Sequence, residues 1–256
     1  VNVKVIIEGE EEIGSSHLQA FVQRYQAKLQ SNVLVLTDAG NWDTGVPALT
    51  TLLRGIVVIE VEVRALESPL HSGMWGGPLP DPVQGLVRML GTLFDAKGRI
   101  AVPGIYDDVR PLSAMDRQEF ERLPVTVEEF RRQARVLPGV QLLGEWISPW
   151  QPVWREPALS INAIQAASRA QAANIICDSA WARVGVRIVP DQTPEKVQKI
   201  VVEHLRKQVP WGLQAEFKAD HSAGWWMCEP TGPVFDTARR ALAAGYGKEP
   251  LIIGCG

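Results

Sequence analysis

Val3-Lys4-Val5-Ile6-Ile7-Glu8-Gly9-Glu10-Glu11-Glu12-Ile13-Gly14-Ser15-Ser16 sets an apolar run against three adjacent carboxylates. Residues 3–7 read as a buried strand of an α/β sheet. Ser15 or Ser16, followed by His17-Leu18-Gln19-Ala20-Phe21-Val22, reads as a capped amphipathic helix. The glutamates then occupy a strand-to-helix turn, and in open α/β sheets ligands bind beyond the carboxyl ends of the strands. Adjacent ionised carboxylates repel, and near a dry crevice at least one pKa rises unless a cation compensates. A divalent metal is one such cation: one Glu ligates it while its neighbour stays free to move a proton. The same three residues also suit a plain helix N-terminus, where the macrodipole favours acid.

A second apolar run, Asn32-Val33-Leu34-Val35-Leu36-Thr37, ends in Asp38 before Ala39-Gly40-Asn41. If the two runs are parallel strands joined by a helix over about 16–28, Glu12 and Asp38 emerge at the same sheet edge and offer two hard oxygen ligands to one site. Taken alone, Asp38 equally suits a turn, bonding the backbone two residues on.

The remaining chain reads as one domain interrupting another. After Arg54-Gly55 comes a strand over 56–65, a Gly/Pro-rich loop holding His71, and a helix over about 82–94. Strands follow near 158–164 and 180–189, then a helix opened by Thr193-Pro194-Glu195 and running to about 207, and a strand over 213–219. This β-α-β-β-α-β order is the ferredoxin-like arrangement, an antiparallel sheet with helices on one face. An insertion at 95–157 carries a helix near 127–135 and Trp146, Trp150 and Trp154, to which the sequence alone assigns no purpose. A helix over 233–244 and a short strand over 251–253 return to the first domain. The boundaries expected are 1–54, 55–221 and 222–256.

About half the residues are apolar and a fifth charged, enough for a sizeable core at this length. A net charge near −3 gives no footprint for nucleic acid. Cys177, Cys228 and Cys255 are widely spaced and form no Cys-X-X-Cys pair, which argues against a disulfide framework or a zinc ribbon. No apolar run approaches the roughly 18 residues of a membrane span, and Glu60 and Glu62 interrupt the run at 56–59. A cytoplasmic enzyme acting without nucleic acid or membrane partners is the expectation.

Several of these segments together resemble a known family. Glu8-Gly9-Glu10-Glu11-Glu12-Ile13-Gly14-Ser15, then Thr37-Asp38, then Leu70-His71-Ser72-Gly73-Met74-Trp75-Gly76-Gly77 are similar to the M20 metallopeptidases, in their carnosinase-like dipeptidase branch. The likeness continues, in order, through Lys97-Gly98-Arg99-Ile100, Pro103-Gly104-Ile105 and Val186-Arg187-Ile188-Val189-Pro190. It implies the fold class: part of a doubly wound catalytic α/β domain with an inserted ferredoxin-like α+β lid and dimerisation domain. It implies that Glu11 is the general base acting on a metal-bound water, Glu12 a ligand of one ion and Asp38 a ligand of the other. His71 would reach from the lid of one protomer into its partner's site and stabilise the oxyanion. Arg187 would bind the substrate carboxylate, with Asn174 and His221 as further substrate contacts. Two divalent ions are implied, zinc first, with manganese or cobalt as alternatives. The activity implied is hydrolysis of dipeptides beside a free C-terminal carboxylate by a homodimer. N-acyl amino acid hydrolysis is the alternative within the superfamily, and a non-catalytic dimerisation or peptide-binding module the alternative outside it.

Residues read singly support plainer roles: His71 as a solvated loop histidine, Arg187 as a polar position on a half-exposed strand. His17 and His204 lie in helical patterns and receive no role. The family pattern also calls for a His-X-Asp segment, an ion-bridging Asp and a late metal-binding His, none of which matches within 1–256. Because a two-metal site needs about three protein ligands per ion, these 256 residues alone are expected to act as a portion of the enzyme, binding metal weakly at best and hydrolysing nothing.

Overall fold

A computed structural model describes residues 2–37 and 40–256, without the side chain of Gln171. The chain divides into two units, residues 1–40 and 41–256, each taken by itself below.

The first unit holds a 3₁₀ turn, Glu11–Ile13, and helix α1, Leu18–Leu29. The two apolar runs expected as buried strands form no strand. Val3 is 78% exposed, Ile7 92% and Val35 72%. A fully apolar strand is held by neighbours that take up its backbone N–H and C=O groups and by layers on both faces. Two short strands with one crossover helix supply neither, and such a pair is marginal in water.

The second unit begins with β1, Ala48–Leu53, and β2, Gly55–Arg64, with Arg54 alone between them. A two-residue strand β3, Leu70–His71, leads into the single turn α2, Ser72–Trp75, and then α3, Pro82–Gly91. The insertion carries α4, Ala114–Arg122, α5, Val127–Gln133, and α6, Trp150–Arg155. There follow β4, Ala158–Gln165, β5, Ile175–Ile176, β6, Ser179–Ile188, α7, Pro194–Lys207, and β7, Gln214–Ala223. The unit closes with β8, Trp226–Met227, α8, Pro233–Tyr246, and β9, Leu251–Cys255.

β4, β6, β2 and β7 lie side by side in that order, every pair antiparallel. The β-α-β-β-α-β arrangement expected from the sequence is therefore present. Its period-2 pattern sends Val57, Ile59, Val61 and Val63 of β2 and Ala182, Val184, Val186 and Ile188 of β6 to one face, all fully buried. That face is covered by α3, through Leu86, Met89 and Leu90, and by α7, through Val197, Val201 and Leu205 at four-residue spacing. Both helices start as their sequences dictate. Asp81 caps Pro82 by accepting the Val83 N–H at 2.8 Å, and Thr193 caps Pro194 by accepting the Lys196 N–H. His204 ties the two helices, with Nε2 2.9 Å from Thr92 Oγ1 and 3.1 Å from Thr92 O.

The second sheet, ordered β8-β1-β9, pairs β1 parallel with β9 and antiparallel with β8. Its core explains the tryptophans of the insertion. Trp154 stacks on Trp150 at 5.3 Å and on Phe120 at 5.8 Å, and Trp42 and Phe130 close edge-on against Trp150. With Leu52 of β1, they fasten the inserted helices to this sheet. The chain passes between the two sheets at Arg54-Gly55 and returns at Ala223-Gly224. A Cβ on Gly55 would stand 2.5 Å from Ala223 O and 2.6 Å from Ile188 Cγ1, so the crossing admits no side chain there.

Candidate functional site

In the first unit, Glu11 and Glu12 form the 3₁₀ turn and both are exposed; Gly14, at φ 92°, ends it. The crowding of carboxylates was expected to raise a pKa. Glu10 shows the opposite. Its carboxylate lies 2.9 Å from His17 Nδ1, and this hydrogen bond holds Glu10 below the usual carboxylate range. The turn is wet, so the repulsion that a dry crevice would enforce is screened. Asp38 lies outside the described residues.

In the second unit, β3 pairs with β5, setting His71 opposite Ile175, and Ser72 N–H donates to Asn174 O at 2.9 Å. His71 and Asn174, 103 positions apart in sequence, are thus side by side. The Gly73 N–H donates to His71 Nδ1 at 3.1 Å. In a neutral ring this places the proton on Nε2, a donor on an exposed side chain.

Arg187 stands on β6 between Ile56 of β2 and Ala158 of β4, on the face opposite the helices. Neighbouring cations of that sheet are paired: Arg64 with Glu62 and Asp178, Arg183 with Asp220 and Glu60, Lys218 with Glu60. Arg187 has no such partner among the described residues. His221 reaches the same face through a β-bulge. Val57 pairs with Ser222 and Ile59 with Ala219, so Asp220 and His221 together oppose Val58. Strict alternation would have sent His221 to the helix side.

Sequence reasoning overlooked three further residues, Arg54, Asn162 and Gln192. Arg54 precedes β2 by one residue, and its Nε is buried without a partner. Asn162, set at a register shift of β4, lays its side chain over the bare Gly185 two residues before Arg187. Gln192 is 2% exposed and clamps the end of β6. Its Oε1 accepts the Val189 N–H at 3.0 Å, and its Nε2 donates to Ile105 O at 2.7 Å. Arg54 was legible as a charge abutting a Gly at a strand start; the other two depend on register and a turn that no local pattern announces.

Among the described residues no group of three or more His, Cys, Asp or Glu gathers to hold a metal ion. Of the matched ligands only Glu12 is described, and it stands exposed, so these residues by themselves do not fit a binuclear centre.

The peptidase dimerisation domain of the M20 peptidases matches residues 38–213. A cysteinylglycine-S-conjugate dipeptidase of Corynebacterium striatum is 33% identical over 100% of this chain and 55% of its own length. A β-Ala-His dipeptidase of Rattus norvegicus is 32% identical over 99% of this chain and 52% of its own length. The crystal structure of human carnosine dipeptidase 1 superposes with a TM-score of 0.80 at 29% identity, over 95% of this chain and 52% of that one. The chain spans about half the length of the curated relatives it matches. It belongs to the M20 peptidase family, in the carnosinase-like dipeptidase branch.

Proposed function

We propose that these residues contribute to a metal-dependent dipeptidase that hydrolyses the peptide bond beside a free C-terminal carboxylate. The observation that carries this reading is Arg187, a half-buried residue on a sheet face whose other cations are paired, left without an acidic partner among the described residues. An unpaired guanidinium is satisfied by an anion, and a planar carboxylate fits its fork of donors. The names of the relatives, which act on Cys-Gly and β-Ala-His, support the same substrate class.

In this reading Glu11 takes a proton from the attacking water and returns it to the leaving amine. His71 donates its Nε2–H to the developing oxyanion in the partner's site, and Asn174 and His221 contact the substrate. Glu12 and Asp38 are metal ligands, with zinc as the proposed ion and manganese or cobalt to be tested beside it. Residues 55–221 form a lid and dimerisation domain inserted between catalytic segments 1–54 and 222–256; the four-stranded sheet and the family match support that division. The three cysteines are free, which fits a reducing, cytoplasmic setting. No helix of the described residues is long and apolar enough to cross a membrane.

The test is a substrate profile of the protein expressed from its complete reading frame, with zinc, manganese or cobalt added. Cys-Gly and β-Ala-His should be cleaved, and their C-terminal amides should be poor substrates. Faster release from N-acetyl amino acids would favour the amidohydrolase alternative, and no release from either class would contradict the reading. Residues 1–256 alone should cleave nothing, because the described donors assemble no ligand set; measurable cleavage by them would refute that.

A further inference from the structure

Arg54 is the single residue between β1 of one sheet and β2 of the other, its backbone N–H donating to Cys255 O at 2.8 Å. Two residues on, Ile56 is the cross-strand partner of Arg187, and Ala158 flanks Arg187 on its other side. Arg54 and Ala158 line one open groove of about 270 Å³, whose far wall comes from the insertion with Phe130, Leu143, Trp146 and Val153. The groove thus reaches Ala158, the cross-strand neighbour of Arg187. Its lining is apolar apart from Arg54. The Trp146 ring is fixed in place, its Nε1–H donating to Leu143 O at 2.9 Å.

The cation that lines this groove lacks an anion. Arg54 Nε is buried without a hydrogen bond, and no carboxylate among the described residues pairs with Arg54 or Arg187. Burial, and then the nearby charge of Arg187, push the Arg54 guanidinium down to about 10. It remains charged at neutral pH, so it stays an uncompensated cation beside a second one. Two adjacent guanidiniums and an apolar wall are complementary to a molecule bearing a carboxylate next to a large apolar group.

We infer that the groove receives a large apolar side chain of the substrate's C-terminal residue, with Arg54 joining Arg187 on that residue's carboxylate. The inference rests on the dipeptidase reading above and adds a side-chain preference to it. Small C-terminal residues such as glycine leave the groove empty. Phenylalanine or leucine fills it and removes its wall from water.

Calorimetric titration of the 256-residue chain with N-acetyl-phenylalanine, N-acetyl-glycine and N-acetyl-phenylalaninamide separates the parts. N-acetyl-phenylalanine should bind at least about tenfold more tightly than either of the others. Leu143 is 63% exposed, so Leu143→Glu should fold. Placing a carboxylate on the apolar wall of the groove, it should abolish the advantage of the phenyl group, while Leu143→Met keeps it. Arg54→Gln should weaken both acids and leave the amide unchanged. Equal affinity for the two acids overturns the groove and leaves carboxylate recognition standing. Equal affinity for the acid and its amide overturns the role of Arg54 and counts against the carboxylate reading itself. No binding of any of the three overturns both.

Discussion

Gln192→Leu is the substitution whose cost can be worked most directly from the structure. Leucine has nearly the volume of glutamine, so the change removes polarity without opening a cavity. Two hydrogen bonds vanish: Val189 N–H to Oε1 at 3.0 Å and Nε2–H to Ile105 O at 2.7 Å. The backbone groups left behind are buried with the side chain, which is 2% exposed. Each bond is worth about 1 kcal/mol net, and each stranded buried group adds a penalty, for a total of about 2–4 kcal/mol. In a unit of this size about 3 kcal/mol corresponds to a melting shift of about 6–12 °C. Urea unfolding followed by circular dichroism gives the free energy, and an unchanged m-value would show that the same surface is exposed. Gln192→Glu is the control. It keeps the acceptor for Val189 but buries a carboxylate, whose folded pKa is raised by desolvation. Its deficit should therefore be full at neutral pH and shrink as pH falls through that raised pKa, when the protonated acid again donates to Ile105 O. A Gln192→Leu cost below about 1 kcal/mol would refute the clamp and, with it, the account of how the end of β6 is held near Arg187.

Gly55→Ala should lower the urea midpoint by the equivalent of about 1–3 kcal/mol, because its Cβ would sit 2.5 Å from Ala223 O; a neutral result would mean that the crossing between sheets is looser than described. Asp95 accepts the N–H groups of Arg99 and Lys97 at 2.9 and 2.8 Å, which hold its carboxyl below its ordinary 3.8. A depressed folded pKa stabilises above the ordinary value and is lost as pH falls through the folded one, so the stability gap between wild type and Asp95→Asn should be constant above about pH 5 and close below about pH 4 in a melting series. In the protein expressed from its complete reading frame, Glu11→Gln and His71→Ala should each be nearly inactive. Mixed in equal amounts with subunit exchange, they should regain about a quarter of wild-type activity, whereas no recovery despite proven exchange would place His71 in its own subunit's site or in none.

The ferredoxin-like sheet was readable because its strands alternate and its helices announce themselves. Asp81-Pro82 and Thr193-Pro194 are cap-and-N1 pairs, and Val197, Val201 and Leu205 keep helical spacing. β1 was missed because Ala48-Leu49-Thr50-Thr51-Leu52-Leu53 has no period and its partner β9 lies some 200 residues on. The runs at 3–7 and 32–37 have strong strand composition, yet composition is only a demand for neighbours, and the neighbours decide. The tryptophans carried no sequence signal because their partners, Phe120 and Trp42, come from distant segments. For the site, His71 and Arg187 were recognisable through short motifs, whereas the turning of His221 depends on a bulge fixed by strand register.

The most direct measurement is kcat/KM for Ala-Phe and its C-terminal amide, with wild type and Arg187→Gln, in the protein expressed from its complete reading frame with divalent metal. Wild type should prefer the free acid. Loss of a charge-assisted contact worth about 1.5–3 kcal/mol should cost Arg187→Gln roughly ten- to hundredfold on the acid and little on the amide. An equal loss on both substrates, or none on either, would contradict Arg187 as the carboxylate's partner and the reading built on it.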